Sequence, residues 1–303
     1  GAKSVGRCQS AGLKLIVDRE NEIVNFIPEQ YYNLYLNFEK NKVKFKARYA
    51  GTTEVPMERL NSMEQIKQIK SECAGNKYIV ENIYQKEKQE SPKPPFCTAT
   101  FQQEVSSKLG LKVKDAMSVA QKLFEGINIG GDHIALITYI RTDDTDISPD
   151  FLPILKNYVE NTYGKKAYVA PRKGKKSENA QEGHECLRVT DPTMTPEKLA
   201  SYINNELQLK VYKIIWQRTI ASVLPNAKIS ETTYSILNGR HVFNLVSNEV
   251  IDEGYRIVYG YKDDETEEDN TIVKETFKFK EELKKTKLED VKKVTTPKPR
   301  YTE

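Results

Sequence analysis

Paired cysteines, long apolar runs and a leader sequence are all missing from this chain of 303 residues. Its four cysteines lie far apart with no Cys-x-x-Cys pair, which excludes a zinc ribbon and a disulfide framework and favours a reducing compartment such as the cytoplasm. No apolar run approaches the length of a membrane span, and the first residues are not those of a signal peptide. We therefore expect neither a membrane protein nor a secreted one.

Net charge is also small, at +4, so it gives little information about partners. The charges are nevertheless uneven: residues 165–176 are strongly basic and residues 263–269 strongly acidic. The basic stretch is equally compatible with a solubilising loop and a DNA contact, and the acidic one is typical of a solvated turn. With 38% hydrophobic and 30% charged residues, the chain can hold two or more domains with a large wetted surface.

Hydrophobic periodicity predicts helices and strands in alternation, without an internal repeat. Glycine at 110 and at 126 stops two of the helices, and the proline cluster of residues 91–95 marks a boundary. Helices are predicted at 11–27, 61–73, 98–109, 114–125, 148–164, from 195 onward and at 212–223, and strands at 31–38, 43–49, 77–88, 135–144, 233–237, 240–245, 255–261 and 272–280.

Residues 135–144 form an apolar segment that ends in polar and charged groups. Read as a strand, its period of two places Tyr139 and Arg141 on one face. An ordinary tyrosine hydroxyl ionises near pH 10, so forming a phenolate at neutral pH costs roughly 4 kcal/mol, and a neighbouring guanidinium lowers that cost. Because Tyr-x-Arg is a common spacing, a core strand that ends in a solvated turn is the alternative.

Residues 6–10 read Gly-Arg-Cys-Gln-Ser and precede the first predicted helix. Ser10 is predicted to cap this helix, which leaves Arg7 and Gln9 free to meet a phosphate or a base edge near its positive end. A capped helix entry without a ligand is the alternative.

Taken in order, five motifs resemble a type IA DNA topoisomerase of the bacterial topoisomerase I branch. The ordered set is far more specific than any of its members, and the resemblance runs from the first motif to residues 299–303. The motifs are Gly6-Arg7-Cys8-Gln9-Ser10 with residues 15–20, Pro94-Pro95-Phe96-Cys97-Thr98 with residues 99–104, Leu123-Phe124-Glu125-Gly126, Leu136-Ile137-Thr138-Tyr139-Ile140-Arg141-Thr142-Asp143, and Gly183-His184-Glu185-Cys186-Leu187-Arg188.

This resemblance implies an ATP-independent isomerase that relaxes negatively supercoiled DNA. Tyr139 would attack a phosphodiester of single-stranded DNA and form a 5′-phosphotyrosine, another strand would pass, and the break would be resealed. Arg141 would offset charge on the transferring phosphoryl group, and Asp143 would orient the cluster. The implied DNA-binding residues are Arg7, Gln9, Ser10, Thr142, His184 and Arg188.

The implied fold is mixed α and β and multidomain, a β-rich arch with a mainly helical, winged-helix-like insert that carries the tyrosine. Residues 1–60 would supply a helix of the single-strand-binding domain and strands of the arch, residues 61–97 the first arch segment, residues 98–225 the helical tyrosine domain, and residues 226–303 the second arch segment and return linker. Two short helices before residues 135–144 place the reactive strand where a wing would be.

The family's Toprim domain and its zinc ribbons are expected to lie outside this chain. The Toprim domain would bring Mg²⁺ and the acidic and lysine side chains that act near the tyrosine, so the chain alone is expected to hold no metal ion and not to relax DNA. The implied partners are DNA, mainly single-stranded, and that Toprim domain, with no membrane. The implied location is the bacterial cytoplasm, in association with the nucleoid.

The two alternative functions are a tyrosine recombinase and a module that only binds single-stranded DNA. Tyrosine recombinases use the same residue types, but their tyrosine follows the His-x-x-Arg motif, whereas here Tyr139 precedes His184. A module that only binds single-stranded DNA would show an affinity that falls steeply with salt and tolerates sequence. The chain also departs from the family at Ala135, usually glycine, and at Asp144, usually serine, where an extra carboxylate repels DNA weakly.

Overall fold

A computed structural model of the chain describes residues 6–57, 59–172, 174, 184–260 and 276–301. They divide into two compact units, one with the described residues of 1–87, 230–249 and 265–302, the other with those of 88–229 and 250–264. The predicted mixture of helices and strands is confirmed. No helix in these ranges is long and apolar enough to cross a membrane.

The helices in chain order are α1 (Arg7–Val24), α2 (Met63–Cys73), α3 (Thr98–Leu109), α4 (Val113–Glu125), α5 (Leu152–Tyr163), α6 (Pro196–Leu199) and α7 (Glu206–Ala221). The strands are β1 (Gln30–Lys40), β2 (Val43–Thr52), β3 (Ile79–Glu90), β4 (Ile127–Ile129), β5 (Asp132–Ile134), β6 (Ala227–Asn238), β7 (His241–Asp252) and β8 (Lys287–Val294). A 3-10 helix spans Gly254–Val258.

A six-stranded sheet in the order β3-β6-β7-β2-β1-β8 organises the first unit. Strand β1 pairs antiparallel with both β2 and β8, and β2 pairs antiparallel with β7. Alternate side chains of β1 and β2, among them Leu34, Leu36 and Phe45, form the core with the apolar face of α2. Strand β8 was not predicted because its alternation is weak and polar, which suits the edge of a sheet.

Helices α3, α4 and α7 pack together in the second unit. Helix α3 ends where predicted because Gly110 adopts the left-handed conformation that an L side chain resists. Helix α7 is the most deeply buried, and the chain's single tryptophan, Trp216, lies in it. The Trp216 ring is 7% exposed, and its Nε1–H donates to the Pro192 carbonyl at 2.9 Å.

The strand predicted at 255–261 is wrong for its described part. The chain forms a 3-10 helix there, because Tyr255 and Val258, three residues apart, are both buried. Gly254 is its first residue, with φ +49°, and a Cβ at this position would lie 2.4 Å from the Asn226 carbonyl oxygen. The strand predicted at 272–280 and the acidic run lie mostly outside the described residues, and residues 276–280 are not a strand.

A short β4–β5 hairpin follows α4 and forms the wing of the second unit. Gly126 joins the hairpin to the helix with φ +107°, and a Cβ there would lie 2.7 Å from the Ile134 carbonyl oxygen. Only glycine allows this close approach. The strands that directly follow the two short helices are therefore β4 and β5, and the segment with Tyr139, which was expected there, comes after them.

Candidate functional site

Residues 135–144 are extended but do not form a regular strand, which corrects the prediction. Their hydrogen bonds are divided among three elements, so no ladder of consecutive pairs forms. Leu136 N–H donates to the Leu123 carbonyl at the end of α4, at 2.9 Å, while Thr98 at the start of α3 exchanges bonds with the backbone of Thr142 at 2.8 Å in each direction. The third element is the segment 184–190, which pairs with Ile137 and Thr138.

The alternation of side chains along this segment nevertheless matches the period of two. Tyr139, Arg141 and Asp143 are exposed, whereas Ile140 and Thr142 between them are 2% and 5% exposed. A phenol, a guanidinium and a carboxylate therefore share one solvent-facing side of an extended backbone.

The Tyr139 ring is held between two other rings. It meets Phe124 of α4 edge-on, with centroids 5.6 Å apart, and His184 at 5.4 Å with a tilt of 36°. The ring remains 42% exposed. Among the described residues the Tyr139 hydroxyl has no hydrogen-bond partner, so the packing orients the ring and leaves its oxygen available to solvent or a ligand.

His184 reaches Tyr139 because its segment pairs with the tyrosine segment. Ile137 forms a bridge with Val189, and Thr138 N–H donates to the Arg188 carbonyl at 2.9 Å. The Thr138 hydroxyl links the two segments further: it accepts the Arg188 N–H at 2.9 Å and donates to the Cys186 carbonyl at 2.8 Å. Both segments are thus fixed in register beside the tyrosine.

Arg188, predicted to bind DNA, is 7% exposed and occupied within the protein. Its Nε and one terminal nitrogen donate to the two carboxylate oxygens of Glu185, both at 2.8 Å, and the other terminal nitrogen donates to the Val189 carbonyl at 2.8 Å. The guanidinium also lies 3.6 Å from the Phe151 ring centroid, just before α5. This geometry makes Arg188 a support for the His184 segment.

Thr142 and Asp144 shape the turn after the tyrosine. The Thr142 hydroxyl accepts the Asp144 N–H at 3.0 Å, and the Asp144 carboxylate accepts the Asp146 N–H at 2.8 Å. With its side chain buried, Thr142 contributes to the loop rather than to an exposed DNA contact. The extra carboxylate of Asp144 is likewise used as a turn acceptor.

The N-terminal motif starts α1 earlier than predicted. The helix begins at Arg7 with Gly6 as N-cap and without a side-chain cap, and the Ser10 N–H already donates to the Gly6 carbonyl at 2.9 Å. Ser10 is therefore inside the first turn, and its predicted capping role is wrong. Gln9 and Ser10 are exposed, while the side chain of Arg7 lies outside the described residues.

The predicted basic loop is described only in part, at residues 165–172 and 174. Lys165 and Lys166 are exposed, but Arg172 donates to the Asn226 amide oxygen at 2.7 Å. Arg172 therefore anchors the start of the loop.

The described residues around Tyr139 do not form a cluster of metal ligands. No group of three or more His, Cys, Asp or Glu in the described ranges could hold a metal ion. Near the tyrosine, the carboxylates of Asp144 and Glu185 already accept hydrogen bonds, which leaves Asp143 alone on the exposed face. One free carboxylate is not a metal site by itself, since Mg²⁺ also takes phosphate oxygens and waters as ligands.

Three supporting residues had no role predicted from sequence, although Phe124 and Glu185 lie within two of the five motifs. Phe124 and Phe151 look like ordinary core residues in the chain, since only the packed fold brings them to Tyr139 and Arg188. Glu185 carries a usable signal, because Glu185 and Arg188 have opposite charges three residues apart.

Thr138→Val should destabilise the second unit by about 2 kcal/mol, because it leaves the buried Arg188 N–H without its acceptor. Thr190→Val is the matched control: the Thr190 hydroxyl also bridges the two segments, donating to the Ala135 carbonyl at 2.7 Å, but at an exposed position where water replaces it. We expect the control to cost less than about 1 kcal/mol. Denaturant unfolding followed by Trp216 fluorescence measures both, and equal losses would refute the importance of the Thr138 hydroxyl.

Comparison with known proteins gives consistent matches over the whole chain. A family model described as DNA topoisomerase matches residues 1–303. DNA topoisomerase 1 of Rickettsia typhi is 35% identical over an alignment that covers 100% of this chain and 40% of that protein. The solved structure of full-length topoisomerase I from Thermotoga maritima has a TM-score of 0.78 and 32% identity, and the match covers 100% of this chain and 47% of that one. The chain thus spans less than half the length of these relatives.

Proposed function

Because this chain belongs to the bacterial type IA DNA topoisomerase family, we propose that it supplies the nucleophile to an enzyme that cleaves and reseals one strand of DNA. The observation that carries the proposal is the exposed Tyr139, held between Phe124 and His184, with Arg141 and Asp143 on the same face of an extended backbone.

The proposed step is a transfer of the phosphoryl group between two oxygens. The Tyr139 hydroxyl oxygen attacks the phosphorus, a bond to the 5′-phosphate forms, and the bond to the 3′-oxygen breaks, with a proton passing from the phenol to a base and another to the 3′-oxygen from an acid. Arg141 offsets the charge on the phosphoryl oxygens, a role suited to its planar and permanently charged group. Resealing is the reverse reaction, which needs no external energy because the phosphotyrosine conserves the bond.

The chain alone is proposed to be incompetent. The roughly 4 kcal/mol needed to ionise an ordinary tyrosine at neutral pH requires a base or a strong electrostatic source. Among the described residues none accepts a hydrogen bond from the Tyr139 hydroxyl. We therefore assign the base, the acid and Mg²⁺ to a Toprim domain of the full-length enzyme.

A module that only binds single-stranded DNA is the second candidate, favoured by the Tyr139 hydroxyl, which has no base within hydrogen-bond distance among the described residues. Such a module would bind through phosphate-led contacts and leave no covalent product. This function also describes the chain when it is separated from the rest of the enzyme.

Trapping the covalent product separates the two candidates. Full-length enzyme with Mg²⁺ and a labelled single-stranded oligonucleotide is expected to give a denaturant-resistant adduct on the peptide that contains Tyr139. The chain alone should bind the oligonucleotide at low salt but give neither the adduct nor relaxation of a supercoiled plasmid. Absence of the adduct from the full-length enzyme would leave only the binding function.

Arg188→Lys should reduce adduct formation about as much as Arg188→Ala, by about tenfold or more, although it retains the charge. Lysine cannot form the paired bonds to Glu185 or stack flat on Phe151, so the His184 segment loses its support. The salt dependence of DNA binding should stay unchanged, since the side chain is buried. Full activity of Arg188→Lys would instead indicate that the charge itself contacts DNA.

A further inference from the structure

A cavity of about 610 Å³ lies in the second unit, and its lining includes Asp143, which follows Tyr139 in the same extended segment. Its volume is within the range of about 300–1,000 Å³ typical of small-ligand sites. One face of α3 forms a wall, since its lining residues recur at helical spacing, and the proline segment before α3 and a residue of α7 complete it. Its lining includes Lys93, Cys97, Thr100, Gln103, Glu104, Lys108, Asp143 and Arg218.

The charges of this lining favour an anion. It holds three cations, Lys93, Lys108 and Arg218, against the carboxylates of Glu104 and Asp143. Glu104 is itself committed to the protein, because it pairs with Arg218 and lies 3.1 Å from the Lys108 ammonium. The Lys93 and Lys108 side chains are 75% and 46% exposed, so both ammonium groups can also reach a ligand.

Arg218 adds a buried positive charge to the wall. Its guanidinium donates to the Pro94 carbonyl at 3.2 Å and to Glu104, and stacks 4.3 Å from the Phe96 ring centroid. The side chain is 5% exposed, yet its Nε–H is buried without a partner among the described residues. This N–H is enclosed by protein, so Arg218 contributes its positive charge to the lining rather than a donor that a ligand can reach.

We propose that this cavity binds a nucleotide of the same DNA strand that meets Tyr139, with its phosphate between Lys93 and Lys108. Asp143 repels phosphate, which favours a phosphate position at the lysines. The Gln103 amide both donates and accepts, so it can meet a sugar or a base edge without selecting one base. This inference rests on the proposed function and extends its DNA-binding track beyond the tyrosine.

Cys97 provides a reporter inside the cavity, because its thiol is partly exposed there. Cys73 and Cys186 are buried, and burial raises the pKa of both thiols, that of Cys73 to about 11. Both should therefore react slowly with an alkylating reagent and serve as internal references. Peptide mass spectrometry follows each cysteine separately in the unmodified full-length enzyme.

An oligothymidylate at ten times its Kd should slow alkylation of Cys97 about tenfold, because the free fraction of the site falls in that proportion. Thymidine monophosphate and inorganic phosphate, at the same phosphate concentration, should give little protection. Equal protection by either would overturn the proposal in favour of a site for a free anion or nucleotide. No protection by the oligothymidylate would also overturn it.

Lys93→Gln with Lys108→Gln should lower the slope of log affinity against log salt by about 0.7, because the one phosphate held between the two lysines contributes about that much for a single strand. The matched control is Lys210→Gln with Lys213→Gln, which removes the same charge from exposed positions of α7 outside the cavity and should leave the slope unchanged. Equal slopes in both variants would contradict the cavity proposal.

The Tyr139 adduct, measured in the same samples at saturating DNA, separates this inference from the function on which it rests. An adduct without protection of Cys97 means that the cavity proposal is wrong and the proposed function stands. Absence of both the adduct and DNA binding means that the proposed function itself is wrong.

Discussion

Tyr139→Phe is expected to abolish the covalent adduct between the full-length enzyme and single-stranded DNA, a loss of at least about 10³-fold. The substitution removes only the attacking oxygen. Phenylalanine keeps the ring contacts with Phe124 and His184, so the segment should retain its conformation and DNA binding should persist. The measurement is the denaturant-resistant adduct on a labelled oligonucleotide, with binding followed in parallel.

Tyr202→Phe is the matched control, since it removes a hydroxyl from another exposed tyrosine of the second unit. It should leave the adduct at the wild-type level. An adduct that survives in Tyr139→Phe would show that another group is the nucleophile, and would contradict the assignment made from the exposed face of residues 139–143.

Glu104→Ala should destabilise the second unit by about 3–5 kcal/mol. It leaves the Arg218 guanidinium, which is 5% exposed, without its carboxylate and still held over the Phe96 ring. Trp216 is the only tryptophan and is buried in this unit, so its fluorescence during denaturant unfolding reports on this unit.

Glu160→Ala is the control for this variant. Glu160 pairs with Lys156 at 3.8 Å on the surface of α5, and the loss of such an exposed pair should cost less than about 1 kcal/mol. The double variant Glu104→Met with Arg218→Met should be more stable than Glu104→Ala, because no buried charge is left alone. A Glu104→Ala protein as stable as the control would show that water solvates Arg218 through the cavity.

The Glu104–Arg218 pair also predicts how acid changes the stability of the second unit. Burial raises the pKa of Glu104, but the positive charges of Arg218, Lys108 and Lys93 outweigh it and hold the pKa below the ordinary carboxyl value. A carboxyl whose pKa is lower in the folded state than in the unfolded state stabilises the fold at pH values above its unfolded-state pKa. This contribution is lost as the pH falls through the folded-state pKa. Wild type should therefore lose stability in acid more steeply than Glu104→Gln, which has no such group to protonate.

Sequence patterns predicted the structure correctly where interactions between residues close in the chain determine it. Helix α3 has the predicted bounds, because its apolar spacing and Gly110 define a helix and its stop. The exposed positions of Tyr139, Arg141 and Asp143 follow from a period of two that any extended backbone shows. The two strands predicted at 233–237 and 240–245 are likewise present, although β6 and β7 extend further than predicted.

Predictions failed where distant groups set the local structure. Extended residues 135–144 suggested a strand, but α3, α4 and the segment 184–190 share their hydrogen bonds. Ser10 suggested a cap, but Gly6 supplies the carbonyl that starts the helix. Alternation at 255–261 suggested a strand, but the close approach of Gly254 to Asn226 fixes a 3-10 turn.

The sequence by itself determined the family, because the identity and order of its motifs are properties of the chain, and it determined which side of residues 139–143 is exposed. Only the tertiary structure decided how the site is supported. The Glu185–Arg188–Phe151 cluster, the contact between Tyr139 and His184, and the cavity beside Asp143 all join side chains that are distant in sequence. Their positions depend on packing of the whole second unit, and no local spacing encodes such packing.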